Sequence, residues 1–161
     1  MRLRQATAAD VPAMIALERQ ISAAGRWSKS QYEDLFKVAK EPHRSQPYVF
    51  VVEEEAGTSG IVGFLAARKI DAEWELENIA VEDKVRRKGI GSLLLGELIS
   101  YAQRAGGAAI FLEVRESNQS ARALYRKLGF QETGVRKNYY PNPAEDAILY
   151  RLPLKITTIS Q

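Results

Sequence analysis

From Glu73 to Arg115 the chain reads strand, basic glycine loop, helix, strand, and this run restricts the fold more than any other feature. Glu73, Glu75 and Glu77 share one parity and Trp74, Leu76 and Asn78 the other, before the segment passes into apolar Ile79-Ala80-Val81. Beyond Arg86-Arg87-Lys88-Gly89-Ile90-Gly91, residues Leu95, Leu98, Ile99 and Ala102 recur at helical spacing, on a helix expected to open at Ser92 and to end at Gly106. Ala109 to Arg115 is the next strand. Two strands joined by a crossover helix are expected to lie parallel, with a right-handed connection. The chain is thereby committed to the α/β class.

The flanking segments extend this unit. Leu3 to Ala6 suggests a short strand, and Val11, Met14, Ile15, Leu17 and Ile21 one face of a helix, with Asp10 as its cap, Pro12 in its first turn and Gly25 closing it. A second helix is expected from about Lys29 to Lys40, followed by a polar loop between Pro42 and Pro47. Tyr48 to Glu54 and Ile61 to Lys69 read as a hairpin across Ala56-Gly57-Thr58-Ser59-Gly60. A helix from Asn118 to Leu128, stopped by Gly129, and strands at Phe130 to Lys137 and Ala147 to Leu152 complete the chain. With 161 residues, a single domain over 1–161 is expected.

Composition narrows the chemistry. There is no cysteine and one histidine, His43. Thiolate zinc sites, cysteine nucleophiles and a two-histidine metal site within one chain are therefore excluded, and no metal is expected. Lys and Arg number 23 against 20 Asp and Glu, an excess of 3 that suits an anionic ligand and is too small to predict a nucleic-acid surface. Met1-Arg2-Leu3-Arg4 lacks the apolar core of a signal peptide, and no run nears the roughly 18 apolar residues of a membrane span, so a cytoplasmic protein is expected.

The loop Arg86 to Gly91 precedes a helix, where glycines let the backbone approach an anion and the first amides and helix dipole favour negative charge. The plainer alternative is a tight turn with solvated arginines. A dinucleotide fingerprint would need glycine at Leu94, and a Walker loop would need Lys at Glu97 after Gly96; both fail. A pyrophosphate held by backbone amides, as in coenzyme A, remains.

Arg86, Gly89 and Gly91 match the pattern Gln/Arg-x-x-Gly-x-Gly/Ala, and on this motif the sequence resembles the GCN5-related N-acetyltransferases (GNAT) over nearly its whole length. Within that superfamily it is similar to the bacterial ribosomal-protein-alanine N-acetyltransferases. The matching blocks are Asn78-Ile79-Ala80-Val81, Leu112-Glu113-Val114-Arg115, Asn118, Ala123-Leu124-Tyr125, Leu128-Gly129-Phe130 and Asn138-Tyr139-Tyr140-Pro141. The resemblance implies a GNAT fold, a mixed central sheet with splayed parallel strands flanked by helices. It also implies acetyl-CoA as cosubstrate, with Arg86, Arg87, Lys88, Gly89, Ile90, Gly91 and Ser92 at its pyrophosphate. Ile79, Ala80 and Val81 would meet its pantetheine arm, with Asn118 on the other side. Asn118 is equally a good helix cap.

The resemblance further implies that Glu113 accepts the amine proton and that Tyr125 donates to the departing thiolate. Read from position alone, Glu113 is an ion-paired strand residue and Tyr125 a core aromatic. Tyr139 and Tyr140, with Trp27 of the Trp27-Ser28 pair opposite, would hold the acceptor peptide; the loop 41–47 is longer than the family's usual connection. At pH 7 an α-amine is neutral roughly 400-fold more often than a lysine, which favours a protein N-terminus, such as the alanine of a ribosomal protein. The alternatives are a small-molecule amine, for which Glu73, Glu75 and Glu77 are the one dense acidic face, a lysine side chain, or a coenzyme A-binding module without turnover.

Overall fold

The computed structural model describes residues 1–21, 27–37, 45–54 and 60–155. Gly25, His43, most of the loop 41–47 and the turn Ala56 to Ser59 lie outside them. Seven strands form one sheet: β1 (Arg2–Gln5), β2 (Tyr48–Glu53), β3 (Ile61–Ile70), β4 (Glu73–Val81), β5 (Ala109–Arg115), β6 (Gln131–Tyr140) and β7 (Glu145–Pro153). Their order is β1-β2-β3-β4-β5-β7-β6. Every neighbouring pair is antiparallel except β4 and β5, which run parallel as the crossover predicted. The helices are α1 (Val11–Gln20), α2 (Lys29–Asp34), α3 (Ile90–Arg104) and α4 (Gln119–Lys127).

Helices cover both faces of the central strands, which is why β2 and β3 read as nearly continuous apolar runs. Phe50, Val52, Leu65 and Ala67 join the larger core with Leu94, Leu95 and Leu98 of α3. Their neighbours Val49, Val51, Phe64 and Ala66 enter a second core with Met14 and Leu17 of α1 and Tyr32 of α2.

Four local expectations are corrected. Asp10 holds the N-cap position of α1 but makes no capping bond. Its carboxylate takes both terminal nitrogens of Arg4, at 2.7 and 2.8 Å, and the Thr7 amide at 2.8 Å. A bidentate guanidinium outcompetes the helix amides for it. The second helix ends at Asp34, short of Lys40, because Leu35, Phe36 and Lys37 bond three residues back and the Gln46 amide donates to Lys37 O at 2.8 Å. α3 opens two residues before Ser92, at Ile90, directly after left-handed Gly89.

The fourth correction concerns β4. Asn78 pairs with Ala66 and Leu76 with Ala67, so Glu77 is an extra residue, a β-bulge. The bulge ends the shared parity of Trp74, Leu76 and Asn78. Trp74 and Leu76 face the α3 core, whereas Asn78 bonds to α1 and Ala80 packs in the α1 core.

Candidate active site

The parallel ladder is short. It links Glu73 to Ala109, Trp74 to Ile110 and Glu75 to Phe111, and among the described residues β4 and β5 are unpaired beyond that point. β4 remains paired to β3 as far as Val81, so Ile79, Ala80 and Val81 border an open wedge with one backbone edge unused. Such an edge can hydrogen-bond an extended ligand as a strand would.

The loop at the end of β4 descends through a single 3-10 turn, Asp83–Val85. Arg87 follows at φ 68 and Gly89 at φ 80, both left-handed. At Gly89 a side chain would be strained whatever the space, and a left-handed residue with a Cβ costs about 1–2 kcal/mol. The first backbone bond at the head of α3 is Leu93 N to Gly89 O, at 2.9 Å, which leaves the amides of Ile90, Gly91 and Ser92 outside the helical ladder, at the positive end of the helix. Gly91 has a second reason to lack a side chain: a Cβ there would lie 2.8 Å from Leu124 of α4. Arg86 is engaged by Asp83 at 2.9 Å, and Arg87 and Lys88 are exposed.

Glu113 lies on β5 between Leu112 and Val114, which point into the α3 core, so its side chain projects from the opposite face. The Arg136 guanidinium meets it at 3.2 Å, the ion pair that the position alone suggested. Its negative charge also reaches the aromatic end of β6. The Tyr139 hydroxyl is raised above the phenol range, chiefly by Glu113, and that of Tyr140 is pushed up to about 12, by burial first and Glu113 second.

Tyr125 is 4% exposed in the layer behind β5, with ring centroids of Phe130 and Tyr150 at 5.7 and 5.8 Å. Among the described residues its hydroxyl has no hydrogen-bond partner. Burial drives its pKa well above the usual phenol range, with Tyr140 and Tyr150 adding to the effect. The hydroxyl therefore stays protonated at neutral pH and can serve a developing anion as a donor. Arg122 fixes α4 in place, donating to Tyr150 Oη at 3.0 Å, Glu132 at 2.9 Å and Glu116 O at 2.8 Å. Asn118 caps the helix, its Oδ1 accepting the Ala121 amide at 3.2 Å, a contact of about 1 kcal/mol.

Tyr139 and Tyr140 stand at the distal end of β6 with their rings edge to face at 5.0 Å. Arg136 lies over Tyr139 at 5.5 Å and Arg115 over Tyr140 at 4.3 Å. Sequence reasoning missed what holds this end. Asp146 accepts the Asn138 amide at 2.8 Å and Lys137 Nζ at 3.1 Å; Glu145 accepts the Ser117 amide at 2.6 Å and Arg115 at 3.3 Å. Both carboxyls sit below their ordinary range, Glu145 through Ser117 and then Arg115, Asp146 through Asn138 and then Lys137. Trp27 is set apart from these tyrosines in sequence and packs edge to face on Tyr32 at 5.3 Å.

Also missed was Glu18, a carboxylate 3% exposed that accepts the Trp27 amide and Asn78 Nδ2, each at 2.8 Å, and the Tyr32 hydroxyl. A signal for it existed: Glu18 occupies the helical position four after Met14 and seven after Val11, inside the buried stripe of α1. The acidic face of β4 is largely neutralised, since Glu73 pairs with Arg151 at 2.9 Å and Glu77 with Arg68 at 3.0 Å. Among the described residues no group of acidic or histidine side chains is arranged to hold a metal, and no helix is long and apolar enough to cross a membrane.

An antiparallel sheet with one splayed parallel pair, and a glycine loop feeding a helix at the splay, define a class that comparison identifies. The profile of the Acetyltransferase (GNAT) family matches residues 13–130, and the chain belongs to that family. It is 42% identical over 98 residues to the ribosomal protein bS18-alanine N-acetyltransferase of Escherichia coli (strain K12), covering 60% of this chain and 66% of that protein. The same-named protein of Haemophilus influenzae is 48% identical over 84 residues, or 52% of this chain and 57% of that one. These alignments thus span less than two thirds of each relative's length. The crystal structure of the ribosomal-protein-S18-alanine N-acetyltransferase from Escherichia coli superposes with a TM-score of 0.82 at 30% identity, over 99% of this chain and 97% of that one.

Proposed function

We propose that the protein transfers acetyl from acetyl-CoA to the α-amine of a protein N-terminus, with the N-terminal alanine of a small-subunit ribosomal protein as the target. The observation that carries this reading is the open end of the β4–β5 pair, with Glu113 two residues past Phe111, where the pair ends, and Tyr125 buried in the core that Leu112 and Val114 enter. The names of the relatives support the acceptor class. The unused edge of β4 and the left-handed loop before α3 suit the arm and pyrophosphate of coenzyme A, which brings the acyl group already activated as a thioester.

In the proposed reaction the amine nitrogen attacks the thioester carbonyl, the C–N bond forms and the C–S bond breaks. Glu113 takes the amine proton, directly or through water, and is free to do so once the incoming peptide loosens its contact with Arg136. A backbone amide of Ile79, Ala80 or Val81 stabilises the carbonyl oxygen. Tyr125 donates to the thiolate. Because burial weakens it as an acid, its main contribution is a hydrogen bond that keeps the leaving sulfur from attacking again. With no cysteine in the chain, acetyl passes directly within a ternary complex. Tyr139, Tyr140 and Trp27 contact the peptide.

A small polycation is a poorer acceptor, because Arg151 and Arg68 already occupy Glu73 and Glu77. The test is a peptide panel differing only at the first residue, with α-blocked, lysine-bearing and polyamine controls, assayed with acetyl-CoA. Acetylation of free N-termini, highest for alanine, is expected. Transfer that persists on α-blocked peptides would overturn the N-terminal assignment, and coenzyme A binding without turnover would reduce the protein to a binding module.

A further inference from the structure

We infer that Glu18 is a positioning residue that holds the Trp27 side of the cleft in register with the open edge of β4. This rests on the reading of the cleft as an acetyl-transfer site. The carboxylate joins three segments that are distant in sequence. Its Oε1 accepts the Trp27 amide at 2.8 Å, where the chain enters α2; its Oε2 accepts the Tyr32 hydroxyl from α2 and Asn78 Nδ2 from β4, the latter at 2.8 Å. Asn78 Nδ2 also approaches the Tyr32 hydroxyl at 3.4 Å, closing the cluster.

Two physical points separate this cluster from ordinary core packing. Among the described residues all three partners are neutral donors, and a buried carboxylate so held is a costly way to fill space that an apolar side chain would fill more cheaply. The partners also belong to the cleft. Trp27, proposed above to contact the peptide, lies just before α2 and packs edge to face on Tyr32, while Asn78 directly precedes Ile79-Ala80-Val81, the strand edge left open by the splay. The bulge at Glu77 is what turns Asn78 toward Glu18. One carboxylate thus sets the spacing between the acceptor wall and the donor strand.

Glu18→Gln keeps the shape and presents an amide to three converging donors, so at least one is left unpaired. The peptide KM is expected to rise about tenfold, while the acetyl-CoA KM stays within about twofold. Tyr32→Phe, which removes a single donor, is the gentler second variant and should raise peptide KM about threefold. The second readout needs no turnover. With two tryptophans in the chain, 5-fluorotryptophan labelling yields two fluorine resonances, with Trp74 as the internal control. In Glu18→Gln the Trp27 resonance should shift or broaden while that of Trp74 stays. An unmoved Trp27 resonance, equal movement of both, or an equal loss of affinity for both cosubstrates would overturn the inference. If the unmodified protein acetylates no peptide, the proposed function fails, and the Trp27 resonance alone then decides the role of Glu18.

Discussion

The proposed donor side of the cleft is made of backbone and the proposed acceptor side of side chains. On the donor side stand an unpaired edge of β4, two left-handed residues and the first amides of α3, all within Ile79 to Ser92. The acceptor side is assembled from Glu18, Trp27, Tyr32, Glu113, Arg136, Tyr139 and Asp146, which come from five elements and the loops beside them. A backbone site suits what every substrate pair shares, which in the proposed function is the coenzyme. A side-chain site can be altered residue by residue to suit a different acceptor without disturbing the donor.

That contrast can be broken in three places. The largest effect belongs to the residues proposed for the chemical step. Glu113→Gln is expected to lower kcat about 10²- to 10⁴-fold, and Tyr125→Phe about tenfold to hundredfold, with acetyl-CoA affinity unchanged in both by calorimetry. A loss of coenzyme affinity would show that these side chains build the donor site as well. Gly89→Val comes next. The left-handed strain there is about 1–2 kcal/mol, so acetyl-CoA KM should rise about tenfold while peptide KM stays constant in steady-state kinetics. A matching rise in peptide KM would show that the two sides are not separable.

The smallest effect is one of pH. Glu145 and Asp146 lie below their ordinary values of 4.5 and 3.8 in the folded protein. The stability they lend the end of β6 is therefore fully present above the unfolded values and lost as pH falls through the lowered ones. Near-ultraviolet circular dichroism of the tyrosines should be constant from pH 8 to about 5 and decline below about 4. A change between pH 6 and 7 would mean that another group holds Tyr139 and Tyr140.

What could be read from the sequence divides along the same line. The parallel pair, its crossover helix and the glycine loop were legible because each is encoded locally, by alternation, by helical spacing or by glycine at a left-handed turn. Asp10 was misjudged because Arg4, from another element, claims its carboxylate. The end of α2 depended on Gln46, twelve residues past Asp34. Arg136 was invisible because only the β6–β7 register brings it to Glu113. Glu18 showed in the sequence as a charge inside the buried stripe of α1 but not by its partners, which come from other elements. Asn118 was legible as a cap and is one.

The extra residue in β4 has a consequence for how this domain can change. A strand keeps time in twos, and Glu77 inserts a single beat, so residues before and after it answer to opposite sides of the sheet. Exchanging any one side chain in β4 alters one contact. Inserting one residue after Asn78 would reverse the facing of everything from Ile79 to Val81 at once, turning Ile79 toward α1 and Ala80 toward α3. Through this stretch the protein should accept substitutions far more readily than changes in length.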